Sequence, residues 1–294
     1  MRPHDRSVPR ALSIAGSDSG GGAGIQADLA TFAAHGVFGT TAVVAVTAQN
    51  TLGVRAVETV SPSLVVQQID AVVEDIGVDA IKIGMLANAE LVRAVAERLA
   101  AEDLDGVPIV LDPVMVASSG DALLEPAAVT ALRETLVPLA TLVTPNLPEA
   151  ARLAELPSKL LAEEGEAGLA ARRQAAERLR AGVGTGSTPA VLIKGGHGQG
   201  QRVVDLLVTA DGARRFDAPR LDPGGGGRTV GGAHGTGCTL SSAVAARLAR
   251  GESLVQAVEG ALAFVHRALD AARPVGGGPS PLHHFFAADL KALS

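Results

Sequence analysis

The chain has no tryptophan and no tyrosine, and six phenylalanines supply its whole 2% aromatic content. That scarcity removes the stacking platforms on which single-stranded nucleic acids are held. A net charge of -6 removes the electrostatic reason to expect a nucleic acid as well. The one cysteine, Cys238, excludes an internal disulfide and fits a reducing cytoplasm. No run of about 18 apolar residues points to a membrane span. The polar stretch Met1 to Arg10 also lacks the apolar core of a signal peptide.

What is present is enough for a sizeable core: 294 residues, 47% hydrophobic and 19% charged. Short apolar runs alternate with helical patterns along most of the chain. Arg10 to Ala15, Phe38 to Thr47, Ala80 to Ile83, Val107 to Leu111, Thr141 to Thr144 and Ala190 to Ile193 read as strands. Arg55 to Val60 reads as a further short strand. Ile25 to His35, Pro62 to Asp75, Glu90 to Ala101, Pro126 to Leu136 and two segments near 237–250 and 253–272 read as helices. Residues 157–189 read as one exposed helix ending in a Gly-Thr-Gly-Ser loop. Arg202 to Val208 and Arg214 to Phe216 form a hairpin turning at Asp211-Gly212. This alternation predicts an α/β fold, a central mainly parallel β-sheet with helices on both faces. Residues 1–9 are expected to be a disordered tail, 10–272 one domain, and 273–294 a C-terminal tail.

In such sheets ligands sit beyond the carboxyl ends of the strands. The polar clusters fall there: Asp18, Gln49-Asn50, Met85, Asp112, Asn146 with Glu149, and Lys194. The stretch Gly231 to Ser241 adds glycines feeding a helix, where free N–H groups and the helix dipole favour a phosphate. Cys238 falls in that first turn, where a thiol is expected to lose its proton more readily; its other reading is a small buried hydrophobe. Gly22-x-Gly24-x-x-Ala27 matches a dinucleotide fingerprint, but the acidic residue expected about 20 positions on is missing. Asn146-x-x-Glu149 is also a helix-capping pattern.

Several stretches together resemble the hydroxymethylpyrimidine / phosphomethylpyrimidine kinases, ribokinase-like enzymes of thiamine biosynthesis. They are Ala15 to Asp18, Gly22 to Asp28, Ala48-Gln49-Asn50, Lys82 to Met85, Leu111 to Met115, Thr144 to Glu149, Lys194 to His197 and His234 to Ser241. The resemblance implies a ribokinase-like fold and ATP-dependent phosphorylation of 4-amino-5-hydroxymethyl-2-methylpyrimidine and then of its monophosphate. It further implies Mg²⁺, a cytoplasmic location and a homodimer. It gives Cys238 the role of base and Gly235, Thr236 and Gly237 that of an anion hole. Gly16, Asp28, Gln49, Met85 and Val114 become pyrimidine contacts; Lys194, Thr236 and Gly237 face the nucleotide; Asp112, Asn146 and Glu149 organise the metal. Met85 equally reads as core filler, Asp28 as a polar helix residue, Asp112 as a turn residue, and Lys194 as the partner of a carboxylate. Gly232-Ala233 stand where that family usually has Asn-Thr. Pyridoxal kinase, of the same fold, is the nearest alternative, and a non-catalytic pyrimidine sensor is one of another class.

Overall fold

The computed structural model describes residues 8–115, 124–182, 188–198, 200–221 and 233–287. The 1–9 tail up to residue 7, the Gly-Thr-Gly-Ser loop, and Gly231-Gly232 with the glycine run before them lie outside the described residues.

In chain order the strands are β1 (Arg10–Ala15), β2 (Phe38–Val43), β3 (Ala45–Asn50), β4 (Gly53–Thr59), β5 (Ala80–Ile83), β6 (Ile109–Leu111), β7 (Leu142–Val143), β8 (Ala190–Ile193), β9 (Arg202–Thr209), β10 (Gly212–Pro219), β11 (Ala233–His234) and β12 (Ser280–Pro281). The α-helices are α1 (Gly24–Ala34), α2 (Pro62–Asp75), α3 (Ala89–Leu99), α4 (Pro126–Ala131), α5 (Leu147–Leu153), α6 (Ser158–Ala162), α7 (Gly165–Ala181), α8 (Thr236–Ala249) and α9 (Leu254–Asp270). Eight strands form one sheet in the order β10-β9-β8-β7-β6-β5-β1-β2, parallel from β8 to β2 and antiparallel at β8–β9 and β9–β10. The expected α/β architecture is what forms.

Side-chain alternation divides the sheet. Leu12, Ile14, Ile81, Ile83 and Leu111 join a core with residues of α2, α3, α4, α5 and α7. Ala11, Ala80, Val110 and Leu142 face the other way and pack with α8 and α9. Among the described residues no helix is long and apolar enough to cross a membrane.

Three expectations are corrected. The run Phe38 to Thr47 is not one strand. It breaks at Val44, and β3 leaves the main sheet to pair antiparallel with β4 as a separate ribbon. Residues 157–189 do not form one exposed helix. Gly165 at φ 71 ends the path of α6, and α7 begins there with Arg172, Ala175, Ala176 and Leu179 buried. From Leu132 to Leu136 the expected Pro126–Leu136 helix widens into a π-turn. Beyond α9 the chain stays packed: β12 pairs in parallel with β11, and the His284 imidazole meets the Thr239 hydroxyl at 2.9 Å.

Candidate active site

Two glycine loops interlock at the carboxyl end of β1. The Asp18 carboxylate accepts the N–H groups of Gly20 (2.8 Å), Gly22 (3.1 Å) and Ala23 (2.9 Å), and a bond from His234 Nε2 at 2.9 Å. Burial alone would push Asp18 up, but these donors outweigh it and hold the carboxyl below its usual range. A Cβ on Gly22 would run into the His234 ring, and one on Gly235, at φ 83, would overlap the Gly22 carbonyl oxygen. The first loop therefore spends its N–H groups on its own aspartate. That leaves none of those three for a pyrophosphate, which counts against the dinucleotide reading of the Gly22 and Gly24 spacing.

Gly235 is instead the N-cap of α8. The helix's own bonding starts with the Thr239 N–H to the Gly235 carbonyl, 2.9 Å, so the N–H groups of Thr236, Gly237 and Cys238 have no intrahelical acceptor. They line a cavity of about 2010 Å³ that also collects Gly16, Gln49, Met85, Asp112, Val114, Asn146, Glu149 and Lys194. Every sequence-nominated site residue except Asp28 lines this cavity.

On one side lies a charged cluster. Lys194 Nζ donates to Asp112 Oδ1 at 2.7 Å, and the Thr144 hydroxyl donates to the same oxygen at 3.2 Å. Ser241, one turn into α8, donates to Oδ2 at 3.4 Å. Burial would lower Lys194, but Asp112 and Glu149 overcome it and raise its pKa. Glu149 is itself pushed by burial up to about 7, with Lys194 pulling against this and Asp112 adding to it. Asn146 and Glu149 form a capping box at the start of α5: the Asn146 side chain accepts the Glu149 N–H at 2.9 Å, and Glu149 accepts the Asn146 N–H at 2.8 Å. The capping reading of Asn146 is thus realised, and its carbonyl oxygen is already engaged.

On the other side is an apolar slot. The Met85 methyl group lies 2.7 Å from where a Gly16 Cβ would stand, so a side chain here would displace the end of Met85. Gln49, at the end of β3, and Val114, after β6, complete it.

Two expectations fail here. Asp28 does not face the cavity: it is fully buried and bonded to Lys82 Nζ (2.8 and 2.9 Å), Ser13 (2.6 Å) and Ser242 (2.7 Å). It is a structural counter-charge, not a substrate contact. Nor is the Cys238 thiol acidified. Burial pushes it up to about 11; Lys82 opposes this, while Asp28 and Asp112 add to it. The Gly24 N–H, which also favours the thiolate, does not offset the loss of water. Sequence reasoning also missed Lys82, visible only as a lone charge in the apolar run Ala80 to Ile83, and the Asp18–His234 pair, whose partners lie 216 residues apart.

The family model described as phosphomethylpyrimidine kinase matches residues 18–283. A hydroxymethylpyrimidine/phosphomethylpyrimidine kinase of Rhizobium meliloti is 50% identical over 277 residues, covering 94% of this chain and 96% of that protein. Among solved structures, a phosphomethylpyrimidine kinase of Clostridium difficile aligns with a TM-score of 0.72 at 36% identity, covering 88% of this chain and 98% of that one. The ADP complex of Bacillus subtilis pyridoxal kinase aligns with a TM-score of 0.80 at 32% identity, covering 96% and 99%.

Proposed function

This chain belongs to the phosphomethylpyrimidine kinase family, and from that premise we propose that it transfers the γ-phosphoryl group of ATP to 4-amino-5-hydroxymethyl-2-methylpyrimidine and to its monophosphate. One observation carries the reading: the unpartnered N–H groups of Thr236, Gly237 and Cys238, the Asp112–Lys194 pair and the Gln49 amide all open into one cavity. Phosphoryl transfer asks for little more than positioning and charge neutralisation. Gly235 to Gly237 supply the anion hole, with the added help of the helix dipole. The Gly16–Met85 slot and Gln49 hold the ring, so that its hydroxymethyl group reaches the first turn of α8. Cys238 accepts the hydroxyl proton there. With a thiol near 11 this needs a thiolate that is rare at neutral pH, so turnover rises with pH.

Lys194, whose Nζ lies 3.2 Å from where a Gly237 Cβ would stand, reaches the phosphates beside the anion hole. Glu149, raised chiefly by burial with Asp112 adding to it, and Asp112 suit Mg²⁺, which takes one or two carboxylates and completes its shell with phosphate oxygens and water. Among the described residues no set of three or more His, Cys, Asp or Glu could hold a metal alone. When bound, Mg²⁺ neutralises charge on the phosphates. Asn146 contributes by fixing Glu149 through the capping box.

The β3–β4 ribbon leaves Val46, Leu52 and Val57 exposed at 54%, 69% and 44%, an apolar surface suited to a second copy in a homodimer. A working free thiol suits the cytoplasm. The likeness to pyridoxal kinase supports pyridoxal as a second substrate. ADP release measured with the pyrimidine and with pyridoxal, with and without Mg²⁺, tests the whole reading. Release with the pyrimidine, dependent on Mg²⁺, is expected; no ADP from either compound ends it.

A further inference from the structure

The segment after α9 has no part in the site described above, and Gly276-Gly277-Gly278-Pro279-Ser280-Pro281 reads in sequence as a tail. In the fold it is fastened to three loops. At its start it closes on Thr51, in the turn between β3 and β4. The Gly278 N–H donates to Thr51 Oγ1 at 3.3 Å. Farther along, Ser280 and Pro281 pair with Ala233 and His234, just before the N-cap of α8. The Pro281 Cβ also lies 3.3 Å from where a Gly22 Cβ would stand, in the loop around Asp18. The His283 N–H then donates to the Ala268 carbonyl of α9 at 3.0 Å, which anchors the far end.

The approach to Thr51 is what demands glycine. A Cβ on Gly278 would stand 1.8 Å from the Thr51 carbonyl oxygen and 2.5 Å from its carbon, and backbone cannot swing aside as a side chain can. One on Gly276 would stand 2.4 Å from Thr51 Oγ1. One on Gly277 would meet only Leu52 Cδ2, at an ordinary 3.4 Å. None of the three has a positive φ, so the requirement is contact and not turn geometry.

Thr51 follows Gln49 by two residues, and Gln49 lines the cavity. The ribbon that carries both is not part of the eight-stranded sheet, so the sheet does not fix its turn. The anion hole begins at Gly235, next to His234. We propose that residues 276–281 are a strap that sets the ribbon turn against the anion hole, and that Gly278 is thereby a positioning residue for the pyrimidine. A reacting hydroxyl displaced by about 1 Å loses about 10²-fold in rate. The inference rests on the proposed transfer to a pyrimidine but makes its own claim: the slot wall is placed from outside the ribbon, by the contact at Thr51.

The test uses the full chain, with ADP release for kinetics and hydrogen exchange of the β3–β4 ribbon as a readout that needs no substrate. Gly278→Ala should raise the KM for 4-amino-5-hydroxymethyl-2-methylpyrimidine by about tenfold or more and leave the KM for ATP within about twofold of the parent. Its ribbon amides should exchange faster. Gly277→Ala should match the parent in all three. Thr51→Ala takes away the acceptor without adding bulk. It should raise the pyrimidine KM by about threefold and speed ribbon exchange, and it decides the matter if Gly278→Ala does not fold. A segment that only stabilises the fold would lower the melting temperature of Gly278→Ala and leave the two KM values in their parent ratio. That parent ratio overturns the strap, as does ribbon exchange unchanged in both Gly278→Ala and Thr51→Ala, or a Gly277→Ala as impaired as Gly278→Ala. A parent that releases no ADP while ribbon exchange follows the expected pattern overturns the kinase reading and leaves the strap standing.

Discussion

The two faces of the sheet are built from different materials. One is a core of Leu, Ile and Val against α2 to α7. The other mixes Val110, Leu142 and Leu192 with alanines: Ala11, Ala80, Ala243, Ala245 and Ala246 bring α8 close to the strands, and beside them lies the fully buried Lys82–Asp28 pair. Large side chains make a core that contributes stability by burial alone. Small ones let a helix N-terminus approach the strand ends, where amide hydrogens and charges do chemistry, at the cost of burying polar groups that must then satisfy one another. Strand alternation lets the same four residues, Ala80 to Ile83, serve both faces.

If that division holds, changes near α8 should cost activity and changes on the opposite face only stability. The largest effect is expected at Gly235. Gly235→Ala meets both the positive φ and the Gly22 carbonyl, so it should displace the anion hole and lower kcat/KM by about 10³-fold; a variant within tenfold of the parent in ADP release would contradict the interlock. Lys82→Met should destabilise by about 3–5 kcal/mol, because it leaves Asp28 buried without its partner, and adding Asp28→Asn should recover part of this. Urea unfolding of the single and double variants checks it, and equal losses in the two would refute the coupling.

Cys238→Ala should lower turnover by about 10²-fold. In the parent the rate should climb between neutral and alkaline pH, as the thiol approaches its pKa of about 11, and in the variant it should flatten. Parallel profiles would remove Cys238 from the proton step.

His284 gives a smaller, pH-dependent effect. Burial pushes its imidazole down to about 4, with Asp28 opposing and His283 adding to the shift. The folded state thus binds fewer protons than the unfolded one below about pH 6.5. The stability from a neutral His284 is present above that pH and is lost as pH falls toward 4, by roughly 3 kcal/mol. Melting curves of the parent and His284→Gln should therefore converge on acidification; a constant gap would show that the shift plays no part. Smallest of all, Ile83→Val on the opposite face should cost about 1 kcal/mol and leave kcat/KM unchanged, and a fall in kcat/KM there would dissolve the division.

Much of this was legible in the sequence. Apolar runs ending in glycine or proline marked most sheet strands, and the nominated site residues from Gly16 to Cys238, Asp28 excepted, do reach one cavity. What stayed hidden depends on distant partners. The Val- and Thr-rich run across Val44 offers no local signal that β3 will leave the sheet for β4. Asp28 resembles a ligand-facing helix residue until Lys82, 54 positions on, is seen to hold it. The thiol's shift escapes a first-turn argument because that position is local, whereas the burial and charges that set it come with groups as distant in sequence as Lys82 and Asp28.

The pairing of β12 with β11 has a consequence for how the protein is made. Ser280 and Pro281 leave the ribosome after every strand and helix they brace. Until they emerge, His234 lacks its neighbouring strand, and the loop that presents the phosphate-facing amides stands half supported. A nascent chain can bury its Leu and Ile face early, yet on this account it acquires catalytic competence only once Ser280 and Pro281 have emerged.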